Sequence, residues 1–203
     1  MTEKAEAVEG VDKFEQIIAF ILELEKLKAV ERRIKPLGQS RFENSAEHSW
    51  QVALLAMSLI PYASETVDAA TVIKMLLLHD IVEIDTGDKF AYDANHLDTE
   101  NETIAAKRIF SLLPSDIGSE LLQLWMAFEH GDSPESRFAK GVDRLMPVLQ
   151  NLHNEGQSWV EHGITVEQIV TKNAAAGQVN PELWAMVKAK VEHLGERGIL
   201  AFK

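Results

Sequence analysis

The run Val72-Ile73-Lys74-Met75-Leu76-Leu77-Leu78-His79-Asp80-Ile81-Val82 puts a histidine and an aspartate inside sequence that belongs in a core. Aspartate is almost never fully buried unless it is paired or bound to something. A buried, unpaired carboxylate costs free energy or takes up a proton. Two arrangements resolve the conflict. A metal ion would use both the imidazole and the carboxylate, whereas a buried His-Asp ion pair would need no metal. In either case the surrounding fold must be built around a polar point.

The rest of the chain is patterned for helices, with readable ends. Asp12 and Glu15 have capping-box spacing and predict a helix from there to about Val30. Its expected apolar stripe is Phe14, Ile17, Ile18, Ile21, Leu24 and Leu27. Asn44 with Glu47 predicts a helix that ends at Ile60-Pro61, and Asp68 is a cap for the helix carrying His79 and Asp80. Thr86-Gly87-Asp88 predicts a turn. Further starts fall at Thr99 with Glu102, Ser115, Ser133-Pro134, Thr165 with Gln168, and Asn180-Pro181. Pro147 is a possible kink in the helix that begins at Pro134. No alternating strand of useful length and no internal repeat is evident. The expectation is an all-α chain of one domain over residues 1–203. Its motifs would lie within about 14–155, and helices at about 165–194 would complete the bundle.

Composition narrows the partners. The 203 residues carry 32 acidic and 20 basic side chains, a formal charge of -12, which disfavours long-range attraction to a nucleic-acid polymer or an anionic membrane. An anionic substrate would need local cations. The absence of Cys excludes thiolate metal sites and cysteine nucleophiles. The opening Met1-Thr2-Glu3-Lys4-Ala5-Glu6 lacks the order of a signal peptide, and no stretch has the length of a membrane span. A cytoplasmic protein is expected.

His48 shares a helix face with Val52, Leu55 and Leu59, so it points inward; it is a hydrogen-bonded core residue or a metal ligand. Asp143, among Phe138, Ala139, Val142 and Leu145, pairs with Lys140 or Arg144 or joins the same centre. Glu83 follows the doublet by one helical turn, either above it or in solvent. Two histidines and two aspartates in apolar helical settings suit one divalent metal, with Mn, Co, Fe, Ni, Mg and Zn all compatible. Such an ion makes water a usable nucleophile near neutral pH, and Glu83 could carry the proton.

The blocks Arg41-Phe42-Glu43-Asn44-Ser45-Ala46-Glu47-His48-Ser49, His79-Asp80-Ile81-Val82-Glu83, Thr86-Gly87-Asp88 and Val142-Asp143 occur in this order. The chain thereby resembles the HD-domain metal-dependent phosphohydrolases, in particular the 5'-deoxynucleotidase branch and its HD-domain-containing eukaryotic relatives. The resemblance runs from about Phe14 to Glu155 and includes Leu112-Leu113-Pro114 through Trp125 and Glu129. It implies His48, His79, Asp80 and Asp143 as metal ligands. Glu83 would handle the reaction proton, and Asp88 would be a second active-site acid. Arg33 would grip the substrate phosphate, and Glu129 would lie near the sugar. Ile34 stands where the resembling bacterial enzymes have a Trp, so weak selection against ribose is expected. Arg41 is a second phosphate contact or a salt-bridge partner of Glu43 or Glu47.

The expected activity is hydrolysis of a phosphomonoester, a nucleoside 5'-monophosphate by resemblance. The alternative is a helical regulatory or scaffolding dimer with a structural metal. Glu83 and Asp88 favour the enzyme, since a structural site has no use for extra carboxylates. A phosphodiesterase is disfavoured, because the histidines of a two-metal site are missing. The resemblance also implies a homodimer. Trp159, Trp184 and Met186 are expected in the core or the dimer contact. His96, His130, His153, His162 and His193 are expected to face solvent, with His130 bordering the site beside Glu129.

Overall fold

The structure is a computed structural model that describes residues 2–93 and 99–203. All regular elements among the described residues are helical, as the pattern predicts. Helix α1 is Thr2–Leu24, continued by a 3-10 segment, Glu25–Ala29. Asp12 is therefore inside the helix and not its cap. The residues before it contain no Pro and several strong helix formers, and these extend the helix toward the N-terminus.

Extended backbone follows. Glu31 and Asn44 form an isolated antiparallel bridge, flanked by Arg32 N to Glu43 O and Glu43 N to Ile34 O, each 2.8 Å. Helix α2, Ser45–Leu59, starts at the Asn44–Glu47 capping box and gives way to a 3-10 turn, Ile60–Tyr62, around Pro61. Helix α3, Ala69–Leu78, is capped by Asp68. The doublet is not in that helix. His79–Val82 tightens into a 3-10 turn before α4, Glu83–Thr86, which stops at Gly87 with φ 71°.

Helix α5 is Thr99–Phe110, α6 is Ser115–His130, and α7 is Pro134–His153 behind the Ser133 cap. Helix α8, Gln157–Glu161, has no cap signal in the sequence and starts at left-handed Gly156. Helix α9, Val166–Lys172, begins with the Thr165–Gln168 capping box, and α10, Pro181–Glu196, with Asn180.

Three apolar clusters hold these elements together. One joins α2, α3 and α7 through Val52, Ala56, Val72, Leu76, Val142 and Phe138. A second packs Trp159, Ile169, Val187, Val191 and Leu194 against α7. The third joins α1, the doublet turn, α5 and α6 through Phe20, Leu27, Ile81, Ile109 and Trp125. Trp159 is a core residue, whereas Met186 is exposed and Trp184 half-buried. The inward face of α1 is Ile17, Phe20 and Leu24, continued by Leu27 of the 3-10 segment; Phe14, Ile18 and Ile21 are exposed, so the expected stripe divides between two faces. No described helix is long and apolar enough to cross a membrane.

Candidate metal centre

The polar point anticipated at the doublet lies where α2, the 3-10 turn and α7 meet. The Asn44 cap fixes the first turn of α2, and His48 comes one turn later, fully buried. Its Nε2 is 3.0 Å from Asp143 Oδ1, 95 residues away. His79 Nε2 is 3.1 Å from Asp80 Oδ1 and 3.5 Å from Asp143 Oδ1. Asp143 makes no pair with Lys140, whose ammonium donates to the Glu129 and Gly131 carbonyls. Trp125 donates its indole N–H to the His79 carbonyl at 3.0 Å, tying the turn to α6.

These side chains fit a cation. His79 Nδ1 must donate to the Leu76 carbonyl, 2.7 Å away, because a carbonyl can only accept. In the neutral ring that leaves Nε2 as a lone pair, and this nitrogen is buried without a hydrogen-bond partner. Ligand atoms of His48, His79 and Asp80 lie within 4.8 Å of one another, a group that could hold a metal ion.

The charges show the same need. Burial works against protonation of both rings, yet Asp80 and Asp143 lift His79 to about 9. Burial and Arg32 also oppose protonation of His48, and Asp143 and Glu43 overcome them. Despite burial, the two imidazoles hold Asp143 well below the usual carboxylate range. Glu83 is pushed well above that range by burial and by Asp80, only partly offset by Arg32. Burial also raises Asp88, against Arg32. The site holds more buried carboxylate than its own cations balance.

Glu83 accepts a hydrogen bond from Ser45 at the first turn of α2, 2.5 Å. It lines an open cleft of about 540 Å³ with His79, Asp80, Asp88, Asp143 and Glu129. Burial and Glu102 raise Glu129 to about 7. The structure thus places the four metal-competent residues, Glu83, Asp88 and Glu129 around one cleft.

The arginines are arranged differently. Arg32, which carries no motif signal in the sequence, enters the centre: Nη1 is 3.0 Å from Asp80 Oδ2 and 3.2 Å from Asp88 Oδ1, and Nε is 3.3 Å from Glu43 Oε2. Arg33 points the other way and lies over the Phe90 ring at 5.6 Å. Alternation along the extended segment separates them. Ile34 shares the inward side, only 5% exposed, and lines a smaller cavity of about 90 Å³ with Arg33, Phe90 and Trp159. Arg144 lines both this cavity and the cleft, and no ion pair engages it among the described residues. Of the two readings of Arg41, the structure shows the salt bridge: Nη2 donates to Glu47 Oε2 at 2.8 Å, outside the cleft. His130, His153, His162 and His193 are exposed, and His96 lies outside the described residues.

A helical fold with paired histidines and aspartates at the joint of three elements defines a class. The HD domain profile matches residues 24–184, and the chain belongs to the HD domain family. Among its relatives is the human 5'-deoxynucleotidase HDDC2, 30% identical over 112 residues, which are 54% of this chain and 53% of that protein. The match thus spans about half the length of that relative. The 5'-deoxynucleotidase yfbR of Photorhabdus temperata is 30% identical over 144 residues, 66% of this chain and 72% of that one. A solved structure from Magnetospirillum magnetotacticum MS-1, described as a predicted metal-dependent phosphohydrolase, superimposes with a TM-score of 0.88. It is 39% identical, with 94% of this chain and 96% of that one covered.

Proposed function

We propose that this protein is a metal-dependent phosphohydrolase that removes phosphate from a phosphomonoester, a nucleoside 5'-monophosphate. The observation that carries the reading is the juxtaposition of His48, His79, Asp80 and Asp143 with two acids, Glu83 and Asp88, that the ligand set does not need. The relatives named as 5'-deoxynucleotidases support the substrate class. The four residues would hold one divalent ion, which supplies Lewis-acid polarisation of the phosphate and a more acidic water.

The remaining residues have separate tasks. Glu83, raised by burial and fixed by Ser45, holds or moves the reaction proton. Arg32 keeps Asp80 and Asp88 apart from each other's charge. Arg144 is a cation free to meet the phosphate, and Arg33 stands at the rim of the adjoining cavity. Glu129 lies on the cleft wall, where a sugar hydroxyl would come. The cleft is of the size that takes small-molecule ligands. With Ile34 in place of an aromatic wall, deoxy over ribo preference stays below about 10² in kcat/KM. The protein is proposed to be a homodimer, and the exposed apolar residues of α1 and α2 are wider candidates for the contact than those of α10.

A phosphatase screen over matched ribo- and deoxynucleoside monophosphates, metal-free and with each divalent metal added, tests the function. Turnover should require metal, and Glu83→Gln should lower it by roughly 10²-fold or more with metal still bound. Hydrolysis of none of these esters with any metal would overturn the reading.

A further inference from the structure

Glu43 is 1% exposed and is among the largest fully buried side chains, yet it is not one of the four candidate ligands. A charged residue so deeply buried requires partners. It has three, from three parts of the chain. Gln150 on α7 donates to Glu43 Oε1 at 2.5 Å. The other oxygen, Oε2, faces His48 Nδ1 at 3.4 Å and Arg32 Nε at 3.3 Å. Oε2, Nδ1 and Nε are all buried and none makes a well-formed hydrogen bond, so the ionic contacts among them are what each has.

The backbone holds the carboxylate there. Glu43 immediately precedes the Asn44 cap. Both its N–H and its carbonyl are paired across the Arg32–Ile34 segment. A carboxylate opposite Nδ1 favours the proton on that nitrogen, which turns the His48 Nε2 lone pair toward Asp143 and the ligand group. The same oxygen holds the near end of the Arg32 guanidinium, whose far end reaches Asp80 and Asp88.

We infer that Glu43 is the positioning residue of the metal centre: one buried oxygen sets the orientation of His48 and the reach of Arg32, and Gln150 anchors it. The inference rests on the reading of the centre as a metal site. It assigns Glu43 no contact with substrate or metal.

The test measures Mn²⁺ affinity by calorimetry in the wild type, His79→Ala, Glu43→Gln and Gln150→Ala. It adds ¹⁵N NMR of the imidazoles in the Zn²⁺-loaded protein. His79→Ala should lose the metal; wild-type affinity there would overturn the metal centre and the inference with it. Given that loss, Glu43→Gln should weaken Mn²⁺ binding about 10- to 100-fold, the usual cost of losing a partner behind a ligand. Its His48 Nδ1 signal should shift from the wild-type position, which a merely structural role would not produce. Wild-type affinity with an unmoved Nδ1 signal would overturn the inference alone. If Glu43→Gln does not fold, Gln150→Ala decides: weakened Mn²⁺ binding supports the role, and unchanged binding overturns it.

Discussion

Arg32 and Arg41 are nine residues apart, and each pairs with glutamate, but their surroundings differ sharply. The Arg32 side chain is 14% exposed and meets Glu43, Asp80 and Asp88 in the interior. The Arg41 side chain is 50% exposed and forms its bridge to Glu47 at the mouth of α2. The contrast shows that a guanidinium-carboxylate contact has no fixed worth. In the interior, removing one partner strands the others without water; at the surface, water and salt replace what is lost.

The strongest break of this comparison is Arg32→Met. In the metal-free protein it should lower unfolding stability by about 3–5 kcal/mol, since Glu43, Asp80 and Asp88 lose their shared cation. Denaturant titration would measure this, and added Mn²⁺ should recover part of the loss. An unchanged midpoint would mean that the interior pair behaves like the surface one.

A smaller effect sits on the cleft wall. Burial and Glu102 raise Glu129 to about 7, above its ordinary value of 4.5. Its folded form therefore retains a proton that the unfolded chain releases. The associated stability is fully present below about pH 4.5 and is lost as pH rises through about 7. Metal-free wild type should lose on the order of 1–2 kcal/mol relative to Glu129→Gln across that window. Parallel stability-pH curves for the two would refute the shift.

The smallest effect is Arg41→Ala. It should shift the denaturation midpoint only slightly, an effect that fades at high salt, and leave turnover unaltered. A large fall in kcat/KM would return Arg41 to the substrate.

Much of this was legible in the chain because it is local. Asn44–Glu47, Thr165–Gln168 and Asp68 cap within three residues, so their hydrogen bonds can be read from spacing. His48, His79, Asp80 and Asp143 were legible for another reason: each is a polar residue that its apolar neighbours carry inward. Arg32 was not, because choosing between Arg32 and Arg33 needs the pairing register of Glu31 with Asn44, which only the folded chain supplies. Glu43 was hidden likewise, since its anchor Gln150 lies 107 residues away. The 3-10 turn of the doublet is tied to α6 through the Trp125 indole, a contact that spans 46 residues and that local spacing does not announce.

Those long separations also bear on the order of assembly. Gln150 to Glu43 spans 107 residues, His48 to Asp143 spans 95, and Arg32 to Asp80 spans 48. Loops of that size close only after much chain entropy has been lost, whereas the capped helices can form early. The charged layer is therefore expected to form late, after the folding transition state. Contacts made that late act on the unfolding rate and hardly on the folding rate. A cation bound there should lengthen the lifetime of the native state without speeding its formation, so the centre would also act as a kinetic latch on the finished fold.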